Sequence, residues 1–220
     1  MIYATMCIGS DWVSKHKTAI NRFARQNKLF VLTDDETSFE NCETISYTRN
    51  IFSYYEKINL ILELLKKYKQ RITYIDSDWL QYYDTKIKFT DESLYTYEIF
   101  NLNYPPLSDL FKKTESKIIK ELYSKIGLIT DDDWYVPEAI ISFPYHEELS
   151  EIIKDFKTLQ EPLENIYNKT PIRETLERYS DAGIGYGEGW AITAIVQKYN
   201  ILVKDFTEFP NKTWRKIGLI

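Results

Sequence analysis

Apolar runs and amphipathic stretches alternate along this chain in an order that predicts strand, helix and strand from its first residues. Ile2 to Ile8 is a continuous β-branched, aromatic and sulfur-bearing run closed by Gly9, the pattern of a buried central strand ending in a tight turn. Ser10 or Ser14 can cap a helix reaching about Gln26, with Val13, Ile20, Phe23 and Ala24 inward and Lys15, Lys17, Arg22 and Arg25 outward. Leu29 to Leu32 follows as a second strand, closed by Thr33, Asp34 and Asp35. A longer helix over Ser53 to Tyr68 places Ile58, Ile61, Leu62 and Leu65 at helical spacing. Lys66, Lys67 and Lys69 crowd its carboxyl end, where cations complement the dipole. Ile72 to Ile75 is then a third strand. The order β-α-β-(loop)-α-β predicts an α/β fold whose mixed, mainly parallel sheet is flanked by helices.

Beyond Trp79 the pattern shortens. Lys86 to Phe89 and Leu94 to Phe100 read as amphipathic strands, and Pro105 and Pro106 break the chain. Ile118, Ile119, Leu122, Tyr123 and Ile126 define a helix stopped by Gly127. Trp134 to Phe143 reads as one strand with an irregular start at Pro137, and Glu147 to about Tyr167 as a helix. Gly183, Gly185, Gly187 and Gly189 alternate before a helix through Tyr199, and Ile201 to Val203 is the expected last strand.

Composition changes this picture only by exclusion. With 220 residues and 44% hydrophobic content, the chain can bury one core without metal or disulfide staples, so a single domain over 1–220 is expected. Its halves would be 1–80 and 81–220. A balance of 28 basic against 33 acidic residues leaves a net charge of −5 and no positive field for nucleic acid or an anionic membrane. Two cysteines, Cys7 and Cys42, fit packing thiols of a reducing compartment better than a disulfide scaffold. The opening MIYATMCIG lacks the features of a secretory signal, and no window is apolar enough for a membrane span. A cytoplasmic protein is the expectation, and the final KIGLI leaves room for further domains of a longer polypeptide.

The most informative chemistry is RITYIDSDW, a β-prone run that stops in Asp76 and Asp78 with Ser77 between them. Acids at a strand's carboxyl end lie on the edge where open α/β sheets bind ligands, and two hard oxygen donors there can share Mg²⁺ or Mn²⁺ with phosphate and water. The spacing alone carries little, since Asp131 and Asp133 repeat it, and strand-end acids also cap turns. The position after a crossover helix favours metal.

This DSD, preceded by the helix YYEKINLILELL with Lys57, resembles the helix-then-DxD block of glycosyltransferases of the GT-A fold, in particular the blood-group and glycogenin-like retaining families. GYGEGWAITAIVQKYNIL and VPEAIISF resemble the later blocks of the blood-group transferases. The compact, Tyr-rich chain also looks like the capsid-glycan transferases of large algal DNA viruses, which implies the host cytoplasm as its location. The resemblance implies a GT-A, Rossmann-like single domain in which Mn²⁺ or Mg²⁺ on Asp76 and Asp78 holds the diphosphate of a UDP-sugar. A hexosyl or deoxyhexosyl group would pass, with retention, to a glycan or protein-linked hydroxyl. It also implies a donor-facing role for Lys57 and a carboxylate near the anomeric carbon at Glu188. One departure is the missing carboxyl-terminal histidine ligand of glycogenin-like enzymes, since this chain has only His16 and His146.

Other residues carry two readings each. Glu188 among glycines can face an oxocarbenium-like centre or merely favour a helix dipole. Glu138 can bind a sugar or stand exposed on an edge. Thr5, Met6 and Cys7 can present backbone groups to uracil or be plain buried strand. Asp35 suits ribose hydroxyls or a turn. Lys212 and Arg215 can close over the diphosphate or form a solvated tail, and Trp190, like Trp79, is an aromatic near the expected site. Two other functions compete: an NDP-sugar nucleotidyltransferase, for which IGSDWVSKHK is a poor phosphate loop, and a non-catalytic nucleotide-sugar-binding module.

Overall fold

The computed structural model describes residues 1–50, 53–83, 85, 87, 89, 91–96, 100–101, 115–130, 134–136, 139–169 and 188–205. Its strands in chain order are β1 (Ile2–Cys7), β2 (Lys28–Thr33), β3 (Glu43–Ser46), β4 (Ile72–Ile75), β5 (Leu94–Thr96), β6 (Phe100–Asn101), β7 (Trp134–Tyr135), β8 (Ile140–Phe143) and β9 (Val203–Asp205). Its helices are α1 (Ser10–Ala24), α2 (Tyr55–Tyr68), α3 (Glu115–Ser124), α4 (Leu149–Lys169) and α5 (Glu188–Lys198). The fold is mixed α/β, with a mainly parallel sheet. The chain divides into two compact units, residues 1–92 with 139–146, and residues 93–138 with 147–220.

In the first unit, β3, β2, β1 and β4 lie side by side and parallel, and β8 joins β4 antiparallel. Every residue of β1 is buried, as a central strand covered on both faces requires. Gly9, at φ +91°, turns the chain into α1 in a conformation that side chains resist. Val13, His16, Ile20, Phe23 and Ala24 are the buried positions of that helix. Tyr3 of β1 meets Phe23 edge-on at 5.1 Å between ring centroids. α2 buries Ile58, Leu60, Ile61, Leu62, Leu64 and Leu65, and ends at Lys69, whose left-handed backbone (φ 51°) returns its N–H to the Leu65 carbonyl. At the seam of β4 with β8, Thr73 and Ser142 share a hydroxyl bond of 2.9 Å. Arg71 donates to the carbonyls of Ser142 at 3.0 Å and Asp91 at 2.6 Å.

In the second unit β5 pairs with β9 in parallel, and β6 with β7 antiparallel. Residues 188 to 196 of α5 are buried on all sides, the mark of a helix inside a core. Tyr123 of α3 donates to the Trp190 carbonyl at 2.9 Å. The Val136 amide donates to Thr193 Oγ1 at 3.0 Å. Asp155, buried on α4, accepts from Lys198 Nζ and, at 2.7 Å, from the Tyr199 hydroxyl, which ties α4 to the end of α5. Burial, reinforced by Asp155, pushes the Tyr199 phenol well above its ordinary range.

Several expectations change in detail. The strand expected over 134–143 is two, β7 and β8, which belong to different units and have different partners. Leu94 to Phe100 likewise divides into β5 and the start of β6, and the last strand begins at Val203 rather than Ile201. Ile87 and Phe89 lie outside any strand, the Phe89 ring instead facing the Arg71 guanidinium at 4.9 Å. β3 was not expected. Among the described residues, no helix is long and apolar enough to cross a membrane.

Candidate metal and phosphate site

The strand order β3-β2-β1-β4 reverses direction between β1 and β4, and at such a switch the carboxyl ends of neighbouring strands open a crevice. The β1–β4 ladder runs from Ile2–Ile72 to Ala4–Tyr74. Beyond it, Thr5, Met6 and Cys7 keep their pairing with Val31, Leu32 and Thr33 of β2. All three side chains are buried, so the expected uracil contact would have to come from the main chain on the β4 side.

Asp76, Ser77 and Asp78 leave β4 at this crevice. The Asp76 amide donates to the Ala139 carbonyl at 2.8 Å, and the Trp79 amide returns to the Asp76 carbonyl at 2.9 Å, closing a turn around the two acids. One oxygen of Asp76, Oδ1, accepts from the Tyr74 hydroxyl at 2.8 Å and faces Lys57 Nζ at 3.5 Å. Lys57 reaches there from the first turns of α2, buried at 3% exposure, its ammonium 5.4 Å from the Tyr54 ring centroid and 5.6 Å from that of Tyr74. Ser77 is 2% exposed and accepts from Trp12 Nε1 at 2.7 Å.

Burial pushes the Asp76 carboxyl above the usual carboxylate range; Lys57 pulls it back and Asp78 adds to the rise. Asp78 is also raised by burial, against its own backbone amide, Lys57 and Lys15. Both carboxylates are raised by burial, and Asp78 raises Asp76 further, a strain that a cation relieves. Among the described residues no cluster of three or more His, Cys, Asp and Glu forms; these residues offer two acids here, and phosphate oxygens and water would complete the shell. In that respect the residues fit Mg²⁺ or Mn²⁺ held together with a diphosphate.

Around this turn, the Gly9 amide donates to both carboxylate oxygens of Asp34 at 3.0 Å. Burial pushes the Cys7 thiol up to about 12, although its hydrogen bond with Ser77 pulls the other way. Asp35 is occupied by a turn: it accepts from the Thr37 amide at 3.2 Å and the hydroxyls of Thr37 at 2.8 Å and Ser38 at 2.6 Å, and these bonds hold its carboxyl below the usual range. The expected residues Lys57, Asp76, Ser77, Asp78 and Cys7 thus come together. Glu188 and Trp190 belong to the second unit, Glu188 as the fully buried first residue of α5. Glu138, Lys212 and Arg215 lie outside the described residues. Trp12, Tyr74 and Asp34 are partners the sequence reading missed. Trp12 alone had a signal, an apolar residue on the polar side of α1 just after the Gly9 turn.

The fold is α/β, with an acidic turn at a topological switch. Among solved structures the chain is similar to the glycosyltransferase GlyE of Streptococcus pneumoniae TIGR4, at 10% identity and a TM-score of 0.39, over 99% of this chain and 50% of that one. It spans about half the length of that protein. No protein-family model matches the sequence, and no curated protein matches it.

Proposed function

We propose that the protein is a metal-dependent glycosyltransferase that takes a UDP-sugar and passes a hexosyl or deoxyhexosyl group, with retention, to a hydroxyl of a glycan or protein-linked acceptor. The observation that carries the reading is the Asp76–Ser77–Asp78 turn at the β1–β4 switch, two carboxylates both raised by burial beside a buried lysine. Asp78 and Asp76 would hold Mn²⁺ or Mg²⁺, which when bound supplies Lewis-acid stabilisation of the leaving diphosphate. Lys57 and Tyr74 fix the orientation of Asp76, and the main chain of Thr5 to Cys7 lines the same crevice. Donor specificity and stereochemistry come from the resemblance of the DSD and GYGEGWA blocks. In that resemblance Glu188 holds the place of the acid beside the donor's anomeric carbon.

The test is calorimetry of UDP with and without Mn²⁺, followed by a screen of UDP-sugars for hydrolysis and transfer. Binding of UDP that requires Mn²⁺ and disappears in Asp78→Ala is the expected result. Undiminished metal-dependent binding by that variant would overturn the assignment. Binding without turnover of any donor and acceptor would replace the enzyme with a nucleotide-sugar-binding module.

A further inference from the structure

Asp76 and Asp78 are held to different degrees. Asp76 is fixed three times over, through its amide to Ala139, and through its carboxylate to Tyr74 and Lys57. Asp78 follows Ser77 in the same turn, which the Trp79 amide closes on the Asp76 carbonyl at 2.9 Å. Between the two acids is the Ser77 hydroxyl, too buried at 2% exposure to meet a ligand.

The hydroxyl is gripped from a distant part of the chain. Trp12, 65 residues earlier and in the first turns of α1, donates its indole N–H to Ser77 Oγ at 2.7 Å. Trp12 is a poor core residue, with 40% of its surface exposed, yet its one polar group points inward. The indole is itself set by its neighbours: His16 lies 4.3 Å away between ring centroids, and Lys15 Nζ sits 5.2 Å from its centroid. The positive charge of Lys15 also acts on Asp78.

We propose that Trp12 is a positioning residue for the metal-binding carboxylate Asp78, acting through the bond from its indole N–H to Ser77 Oγ. The inference rests on the metal reading of the same two acids. The indole touches neither metal nor substrate. It prevents the turn from rotating, so that Asp78 meets a cation without reorganising. Groups that orient a ligand from behind typically change metal affinity by about 10- to 100-fold when removed.

Mn²⁺ affinity, read from the electron paramagnetic resonance signal of free Mn²⁺ and from calorimetry, tests this on the full chain. Trp12→Phe keeps the ring and loses the donor, and Ser77→Ala loses the acceptor. Each is expected to weaken Mn²⁺ by roughly 10-fold, and the double variant to weaken it no further, because both remove one bond. If Trp12→Phe folds poorly, Ser77→Ala interrogates the same bond from its other end. Wild-type affinity in both single variants, or losses that multiply in the double variant, overturns the proposal. Wild-type protein that binds no Mn²⁺ overturns it together with the metal reading. Mn²⁺ bound without any UDP affinity overturns the donor assignment and leaves Trp12 in its role.

Discussion

Lys57 Nζ lies 3.5 Å from Asp76 Oδ1, the lysine side chain 4% exposed and the aspartate 30% exposed. Burying a lysine is unfavourable without a counter-charge, and Asp76 supplies it. Lys57→Met is expected to destabilise the protein by about 1–3 kcal/mol at neutral pH, by leaving Asp76 without its main opposing charge. The sign with pH follows from the raised Asp76 carboxyl. The folded state binds its proton more tightly than the unfolded state, so stability from this group is complete below the ordinary carboxylate range and is lost as pH rises through the folded value. Lys57 limits that loss. The difference between variant and wild type in urea midpoint should therefore be small in acid and open as pH rises.

Replacing the second acid should have the opposite effect on stability. Asp78→Asn removes a carboxylate raised by burial that also raises Asp76, so the metal-free variant is expected to be more stable by about 0.5–1 kcal/mol at neutral pH. Mn²⁺ at 100 times its dissociation constant should add about 2.7 kcal/mol to wild type and almost nothing to the variant. Thermal melts with and without Mn²⁺ measure both. A variant less stable than metal-free wild type would mean that the acid serves the turn rather than a ligand.

In the second unit the junction of α4 with the end of α5 depends on one buried carboxylate. Asp155→Asn keeps one acceptor for Tyr199 or Lys198 but removes the charge both donors address, at an expected cost of about 1–3 kcal/mol. Chemical denaturation measures it. The Tyr199 phenol, raised partly by Asp155, should titrate closer to its ordinary range in the variant, seen by ultraviolet absorbance.

Much of this architecture is legible along the chain because it is locally encoded. β1 is one unbroken apolar run, α2 repeats apolar residues at helical spacing, and β4 follows a helix and ends in acids. β3 is not legible: its residues, Glu43 to Ser46, are exposed or half-buried, and it is a strand because Phe30 to Thr33 offer it a ladder. Nor does the pattern in 134–143 say that Ile140 to Phe143 turns antiparallel against β4, since partner choice is made by the whole fold.

The same division runs through the site. Asp76, Asp78 and Lys57 can be placed from a strand end and a helix start. Trp12 and Ser77 meet across 65 residues, and nothing local announces it. Asp34 and Asp35 look alike in sequence. Turn geometry decides that Asp34 receives the Gly9 amide while Asp35 caps Thr37 and Ser38.

Cys7 offers a check on the interior of the crevice. Its thiol, raised from 9.0 to about 12 and fully buried, should resist alkylation even at about pH 10 in the folded protein. Cys42, half-buried and raised less, should react first. Mass spectrometry after iodoacetamide treatment, before and after urea, separates the two. Stability from the neutral Cys7 thiol is complete below about 9 and declines as pH rises toward about 12, because the folded value is the higher one.

The seat of β8 beside β4 imposes an order on synthesis. Residues 1–92 emerge before residues 139–146, and the free edge of Ile72–Ile75 has no neighbour on that side until Ile140–Phe143 has left the ribosome. During that interval the nascent amino-terminal segment carries an open, apolar strand edge, the kind of surface that invites association with other chains. A fragment ending at residue 92 should accordingly be recovered in inclusion bodies, and a synthetic peptide spanning 139–146 is the minimal complement for it.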